Sequence, residues 1–268
     1  MNSFKRESNI IMGRASLSSY YFDYEFDVEY TDEPKKNHAE VTFYNLSSDR
    51  INRISRGDPL IINAGYENDV GSCFVGVVYE ADTTKEGVDR ETTVKAVDGT
   101  DQRDKLRVNK TYKEGTRASQ IITDLCNIVG LSVGALNLPN DVQYRQGKHE
   151  AGTILYRLRL LAEDCGAKFN INKGLAYFRP PGEGDEVRFI FSPERGLVGS
   201  PEPFVEEDED GNEIKGYNVK ALLNHRVQAD SIIEIKSKNV NGSFRVRKAN
   251  HSGQTDGDEW YTEMEVVE

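Results

Sequence analysis

Four histidines, His38, His149, His225 and His251, are the first side chains to test for catalysis or metal binding. None stands in an HExxH or HxH spacing, the patterns that bring two imidazoles to one face. His149-Glu150 comes nearest to a site, because it precedes an apolar helical run. There it reads as a capping and dipole feature of a helix start. The chain holds no GxSxG elbow, no P-loop and no GxGxxG after a strand. Gly182 to Asp185 is glycine-rich, but no helix follows to make it a phosphate cradle. Glycoside hydrolysis needs two carboxyl groups facing each other across a bond. Neighbours such as Glu163 and Asp164 point apart on a helix, and Asp208-Glu209 lies in the charged run 206–213, which reads as a solvated hairpin loop. Carboxylates that meet only in three dimensions stay open. Cys73, Cys126 and Cys165 are far apart and form no CxxC, so they read as buried core thiols rather than zinc or redox ligands. No catalytic residue, metal ligand, cofactor-binding residue or cofactor is expected.

The elements that position these residues are mostly strands. From Leu17 to Tyr30 the even positions are Tyr20, Phe22, Tyr24, Phe26, Val28 and Tyr30. The odd positions include Asp23, Glu25, Asp27 and Glu29. A period of two predicts one long strand with an aromatic face to be covered and an acidic face left to water or a basic partner. Runs at 39–44, 60–66, 73–79 and 92–97 predict further strands. A short helical turn at 47–54 is predicted to be capped by Ser47 or Ser48, with Ile51 and Ile54 facing inward.

Near Thr100 the period changes. Ile121, Ile122, Leu125, Ile128 and Val129 predict an amphipathic helix over 118–129, with Thr116 as its N-cap and Gly130 as its stop. A second helix is predicted over 153–165, closed by Gly166, with Ile154, Leu155, Leu158, Leu161, Ala162 and Cys165 as its stripe. The hairpin 168–178 follows, turning at Asn172-Lys173-Gly174. Strands return at 187–191, 217–223, 231–236, 242–247 and 259–266. The fold class expected is α+β, mostly β. Two β-barrel-like modules, 1–100 and 183–268, flank a small α/β module with two helices, 101–182.

The formal net charge is −11, which argues against sequence-independent phosphate binding; no specific nucleic-acid binding is expected. No run approaches the ~18 apolar residues of a membrane span, so no membrane insertion is expected. Met1 to Arg14 lacks a long apolar core, predicting no signal peptide and a cytoplasmic start. The aromatics interleave with Asp and Glu rather than with cations, pointing to core packing or protein–protein contact.

Three passages, in order, resemble bacteriophage tail hub (baseplate hub) proteins, and more distantly the hub part of type VI secretion spike proteins. They are Glu114 to Leu131, Gly152 to Phe178, and the stretch from Ile235 through Asn241-Gly242-Ser243-Phe244 and His251-Ser252-Gly253 to Trp260-Tyr261-Thr262. The last is the most specific. The resemblance implies a structural, non-enzymatic subunit that closes as a homotrimer into a six-fold-like ring. Its implied neighbours are the tail tube or distal tail protein on one side and a spike, tail fibre or tape measure protein on the other, with a lumen that passes DNA or tape measure. The implied place is the virion tail tip, assembled in the bacterial host cytoplasm. No appended wall-degrading domain is expected after the last strand. Asp23, Glu25, Asp27 and Glu29 are the candidate interface or lumen residues. From the residues alone, a peptidoglycan or glycan hydrolase with dispersed carboxylates and a carbohydrate-binding adhesin module remain alternatives.

Overall fold

The computed structural model describes residues 5–32, 36–98, 105–181, 183–207 and 213–268. The chain forms two compact units. The larger takes in the described residues of 1–32, 37–97 and 184–268, and the smaller those of 33–36 and 98–183. The architecture is α+β and mostly β, with three short α-helices among the described residues.

In the larger unit the N-terminal segment supplies β1 (Arg6–Met12), β2 (Ala15–Ser18), β3 (Tyr24–Thr31), β4 (His38–Tyr44), helix α1 (Ser48–Ile51), β5 (Pro59–Tyr66), β6 (Asp69–Glu86) and β7 (Asp89–Val97). Its remaining strands, β15 to β20, lie in the C-terminal segment: β15 (Asp185–Phe191), β16 (Leu197–Glu207), β17 (Glu213–Leu222), β18 (Ser231–Lys236), β19 (Asn241–Gln254) and β20 (Trp260–Val267). All belong to one sheet, ordered β16-β17-β20-β19-β3-β4-β7-β6-β5-β1-β2, with β15 and β18 branching from β19. The two segments join where β3 pairs antiparallel with β19, from Thr31 opposite Lys248 to Glu25 opposite Gln254. One continuous core draws on both, including Ile10, Phe43, Phe74, Val246 and Trp260.

Among the described residues no ring of strands closes, so barrel-like does not extend to a closed barrel. In the N-terminal set closure would need β2 to reach β3. The free edge of β3 is taken by β19 instead, and β2 is four residues long and pairs with β1 alone.

The predicted strand over 17–30 is broken. Ser18 accepts the backbone N–H groups of Tyr21 and Phe22 on its carbonyl, and its hydroxyl accepts that of Tyr20. Short hydroxyl side chains stabilise turns in this way. Tyr20 and Tyr21 are therefore exposed, and Asp23 precedes the strand. From Tyr24 the alternation holds, and Tyr24, Phe26, Val28 and Tyr30 are buried.

The smaller unit has its own core. It holds β8 (Arg107–Tyr112), β9 (Thr116–Arg117), α2 (Ala118–Val129), β10 (Ser132–Leu136), β11 (Gln143–Tyr144), β12 (Lys148–Thr153), α3 (Ile154–Asp164), β13 (Lys168–Asn172) and β14 (Leu175–Arg179). Both helices lie where their apolar periods place them, and both stop at left-handed glycines, Gly130 and Gly166. Two details differ. Ile128 is exposed, and the N-cap position of α2 is Arg117. The first turn is satisfied from elsewhere: Gln120 accepts the Arg117 N–H, and Asp141 accepts both the N–H and the hydroxyl of Ser119. Lys173 and Gly174 both take positive φ in the predicted hairpin turn.

Candidate functional site: the acidic face of the β3–β19 seam

Residues of one strand that alternate with buried neighbours share the opposite face. In β3 these are Glu25, Asp27 and Glu29, with Phe26 and Val28 buried between them. The register sets Asp27 opposite Glu40 of β4 and opposite Ser252 of β19, and Glu29 opposite His38 and Asn250. Of the four predicted acidic residues, three are thus brought together at the seam between the strand segments. Asp23 lies outside the strand and contributes its carbonyl to the N–H of Tyr44.

The partners of this face include two amides, and the Tyr44 hydroxyl also meets Glu25. Asn250 donates to Asp27 at 2.9 Å and Gln254 donates to Glu25 at 3.1 Å. Cations on the flanking strands bond other carboxylates: Lys95 with Glu80, Lys248 with Glu265, and Lys220 with Glu263. Partial burial, reinforced by Glu29, Glu40 and Glu259, holds the Asp27 carboxyl above its ordinary range, against the Asn250 hydrogen bond that lowers it. The face presents acceptor oxygens and a mainly negative field, which Lys95 opposite Glu40 tempers. Glu40 and Glu259 were not singled out from sequence. The alternation of His38 to Tyr44 carried the signal for Glu40, whereas the approach of Glu259 depends on the fold.

Beneath this face the passage His251-Ser252-Gly253 and Trp260-Tyr261-Thr262 forms one antiparallel hairpin. His251 lies opposite Thr262, and Gly253 opposite Trp260. All four of these side positions point into the core. His251 is fully buried, 2.9 Å from the Thr262 hydroxyl and 2.8 Å from the Val227 carbonyl. Trp260 packs edge-to-face on Phe26 at 5.6 Å and donates its indole N–H to the Gly65 carbonyl. A Cβ on Gly253 would come within 2.5 Å of the Phe26 ring, so only glycine fits between the two aromatics. Across the same segments Asp69 receives two hydrogen bonds from Arg226, at 3.0 and 2.5 Å, and this guanidinium lowers the Asp69 pKa.

His149 and Glu150 lie in strand β12 rather than at a helix start, because β12 pairs with β8 along its length. His149 meets the Thr111 hydroxyl at 2.9 Å, and Glu150 is buried against Arg157. Glu163 is engaged by Arg159, and Asp164 by Lys148 and Tyr144. Asp208 and Glu209 lie outside the described residues, as do the rest of 208–212 and Gly182. Among the described residues no group of three or more His, Cys, Asp or Glu side chains could hold a metal, and all three cysteines are buried and outside any disulfide. No described helix is long and apolar enough to cross a membrane.

No family model matches the sequence, and no curated protein matches it. Solved structures do match in fold. A tail protein from Neisseria meningitidis is 8% identical, with a TM-score of 0.70 over 99% of this chain and 97% of that one. A 43 kDa tail protein of prophage MuSo2 from Shewanella oneidensis is 10% identical, with a TM-score of 0.69 over 98% of each chain. An E. coli component of the type VI secretion system, itself structurally similar to the T4 bacteriophage tail proteins gp27 and gp5, is 10% identical. Its TM-score is 0.67 over 96% of this chain and 76% of that one. The chain has the fold of these phage tail and type VI secretion proteins.

Proposed function

We propose that this chain is a structural hub subunit of the tail of a phage or phage-like particle. Three copies form a ring that joins the tail tube, or a distal tail protein, to the tail-tip spike or fibre and lets DNA or the tape measure protein pass. The observation that carries this reading is the end-to-end fold match to a tail protein over 99% of this chain and 97% of that one. The subunit is assembled in the host cytoplasm and resides at the virion tail tip. Its role is architectural, and it has no catalytic task of its own.

Two features support the reading. The two strand segments share one sheet and one core, a construction suited to a load-bearing ring element. The Glu25, Asp27 and Glu29 face is acidic, and facing a conduit it repels a polyanion and lowers its retention.

The test is genetic and structural. Particles made without this chain should lack a joined tail and tip under electron microscopy, and complete infectious particles would overturn the proposal. Replacing Asp23, Glu25, Asp27 and Glu29 with Asn or Gln should preserve the fold but alter assembly or DNA delivery. Clearing of cell-wall material by the purified chain would replace this reading with a hydrolase.

A further inference from the structure

We propose that the β8–β12 ribbon of the smaller unit is a charge-held strap across α2 and α3, which lifts off as one piece while the helices stay folded. This holds whether or not copies of the chain form a ring.

The two strands divide the helices between them. Lys110 lies opposite Glu150 and Tyr112 opposite Lys148, so these four side chains share the inner face of the ribbon. On β8, Lys110 and Tyr112 both reach Asp124 of α2, at 2.6 Å each. On β12, Lys148 reaches Asp164 of α3 at 2.9 Å, and Glu150 is buried against Arg157 of α3. Tyr144 of β11 adds a bond to Asp164 at 2.8 Å. Each strand thus grips one helix, and the ladder between the strands couples the two grips.

Apolar packing adds little to this hold. Val108 is the ribbon's one buried apolar side chain, with Tyr112 partly buried against the same core. By contrast, α2 alone buries Ile121, Ile122, Leu125 and Val129. The ribbon pairs with no third strand among the described residues, and Asn109, Thr111, His149 and Ala151 on its outer face are exposed. Two strands without further support are marginal in water. A segment held by few apolar contacts opens before the body it covers. Lifting also returns to water the Glu150 Oε1 atom, which is buried and takes no hydrogen bond from the described residues. Gly115 and Gly147, both at positive φ, flank the end where Tyr112 meets Lys148 and supply the hinge.

The hold depends on ionised carboxylates. Lys110 and then Tyr112 keep the Asp124 carboxyl below its ordinary range. Partial burial pushes Asp164 upward, but Lys148 and Tyr144 outweigh it and its pKa is lowered too. No other charged residue lies on α2, Arg159 and Glu163 of α3 bond each other, and Cys165 beside Tyr144 is a buried thiol. Stability from Asp124 and Asp164 is therefore complete above their unfolded pKa values and disappears as pH falls through the folded ones. Salt screens the same partly exposed pairs.

Amide hydrogen exchange of the full chain, read by mass spectrometry at neutral pH, tests this. Raising salt to ~1 M should speed exchange over 107–112 and 148–153 together by about fivefold or more, with α2, α3, β3 and β19 unchanged. Asp124→Asn and Asp164→Asn should each do the same at low salt, in both strands, because the ladder couples them. Glu163→Gln, which removes the Arg159 pair of α3 instead, should leave the ribbon as in the wild type. Ribbon amides that stay protected in salt and in both Asn variants overturn the strap. So does exchange that rises equally in α2 and α3, which marks unfolding of the whole smaller unit. A response confined to one strand, or an equal response to Glu163→Gln, overturns it as well.

Discussion

The Thr262 hydroxyl and the His251 imidazole meet at 2.9 Å across the β19–β20 hairpin, and their neighbours fix who donates. His251 Nε2 faces the Val227 carbonyl at 2.8 Å, which can only accept, so Nε2 carries the proton. In the neutral imidazole Nδ1 is then the acceptor. Thr262 donates to it while accepting the Asn224 N–H at 2.9 Å. This relay joins the loop before β18 to the hairpin, under the seam that unites the two strand segments.

Thr262→Val keeps the shape and removes the relay. It leaves the buried Nδ1 and the Asn224 N–H without this partner, which should cost about 1–3 kcal/mol in chemical denaturation. A loss below the error of that measurement would show that the relay is not stabilising.

Gly253→Ala should destabilise through overpacking, since its Cβ would press into Phe26 and Trp260. A cost of about 1–3 kcal/mol is expected. The near-ultraviolet circular dichroism of Trp260, the chain's one tryptophan, should change with it.

Asp27→Asn should raise the thermal midpoint at neutral pH. The carboxyl's folded pKa lies above its ordinary value, so the folded state binds more protons than the unfolded one between those two values. Stability from this group therefore falls as pH rises through that window, and the ionised form is the unfavourable one above it. The amide still accepts from Asn250. The advantage of the variant should vanish as pH drops below the ordinary carboxylate pKa, and an advantage independent of pH would refute the electrostatic cause.

Asp69→Asn should weaken the tie between the β5–β6 turn and the loop carrying Arg226. The loss should be about 1 kcal/mol, as for a partly exposed ion pair. Here the folded pKa is lowered, so the contribution is present above the unfolded value and disappears as pH falls through the folded one. Denaturation midpoints of both proteins should converge in strong acid.

Cys126 should resist thiol reagents in the native protein. It is fully buried, and burial pushes its pKa up to about 12, so almost no thiolate exists near neutral pH. Labelling should follow unfolding, and rapid native labelling would contradict the packing of α2.

How much was legible follows from the range of each interaction. The helices α2 and α3 and the turn at Lys173-Gly174 are local, and their periods and glycines are visible within a dozen residues. Strand β3 was legible from Tyr24 onward. The break before it depended on Ser18, which made Tyr20 and Tyr21 a surface turn although their pattern continued the strand. His149-Glu150 was misplaced for a related reason: its pairing with Thr111 and Lys110 outweighs the helix that follows.

The sequence by itself determined the mostly-β composition, the two-helix insert, the buried cysteines and the alternation that sorts Phe26 and Val28 from Asp27 and Glu29. These depend on side-chain period and hydrophobicity, which act along a single element. Only the tertiary structure decided that β3 pairs with β19 more than 200 residues later, that Asn250 and Gln254 meet the acidic row, and that His251, Gly253, Trp260 and Thr262 form the core of the seam. Strand pairing is specified jointly by two distant segments, so its register is settled when both bury their apolar faces in the same core.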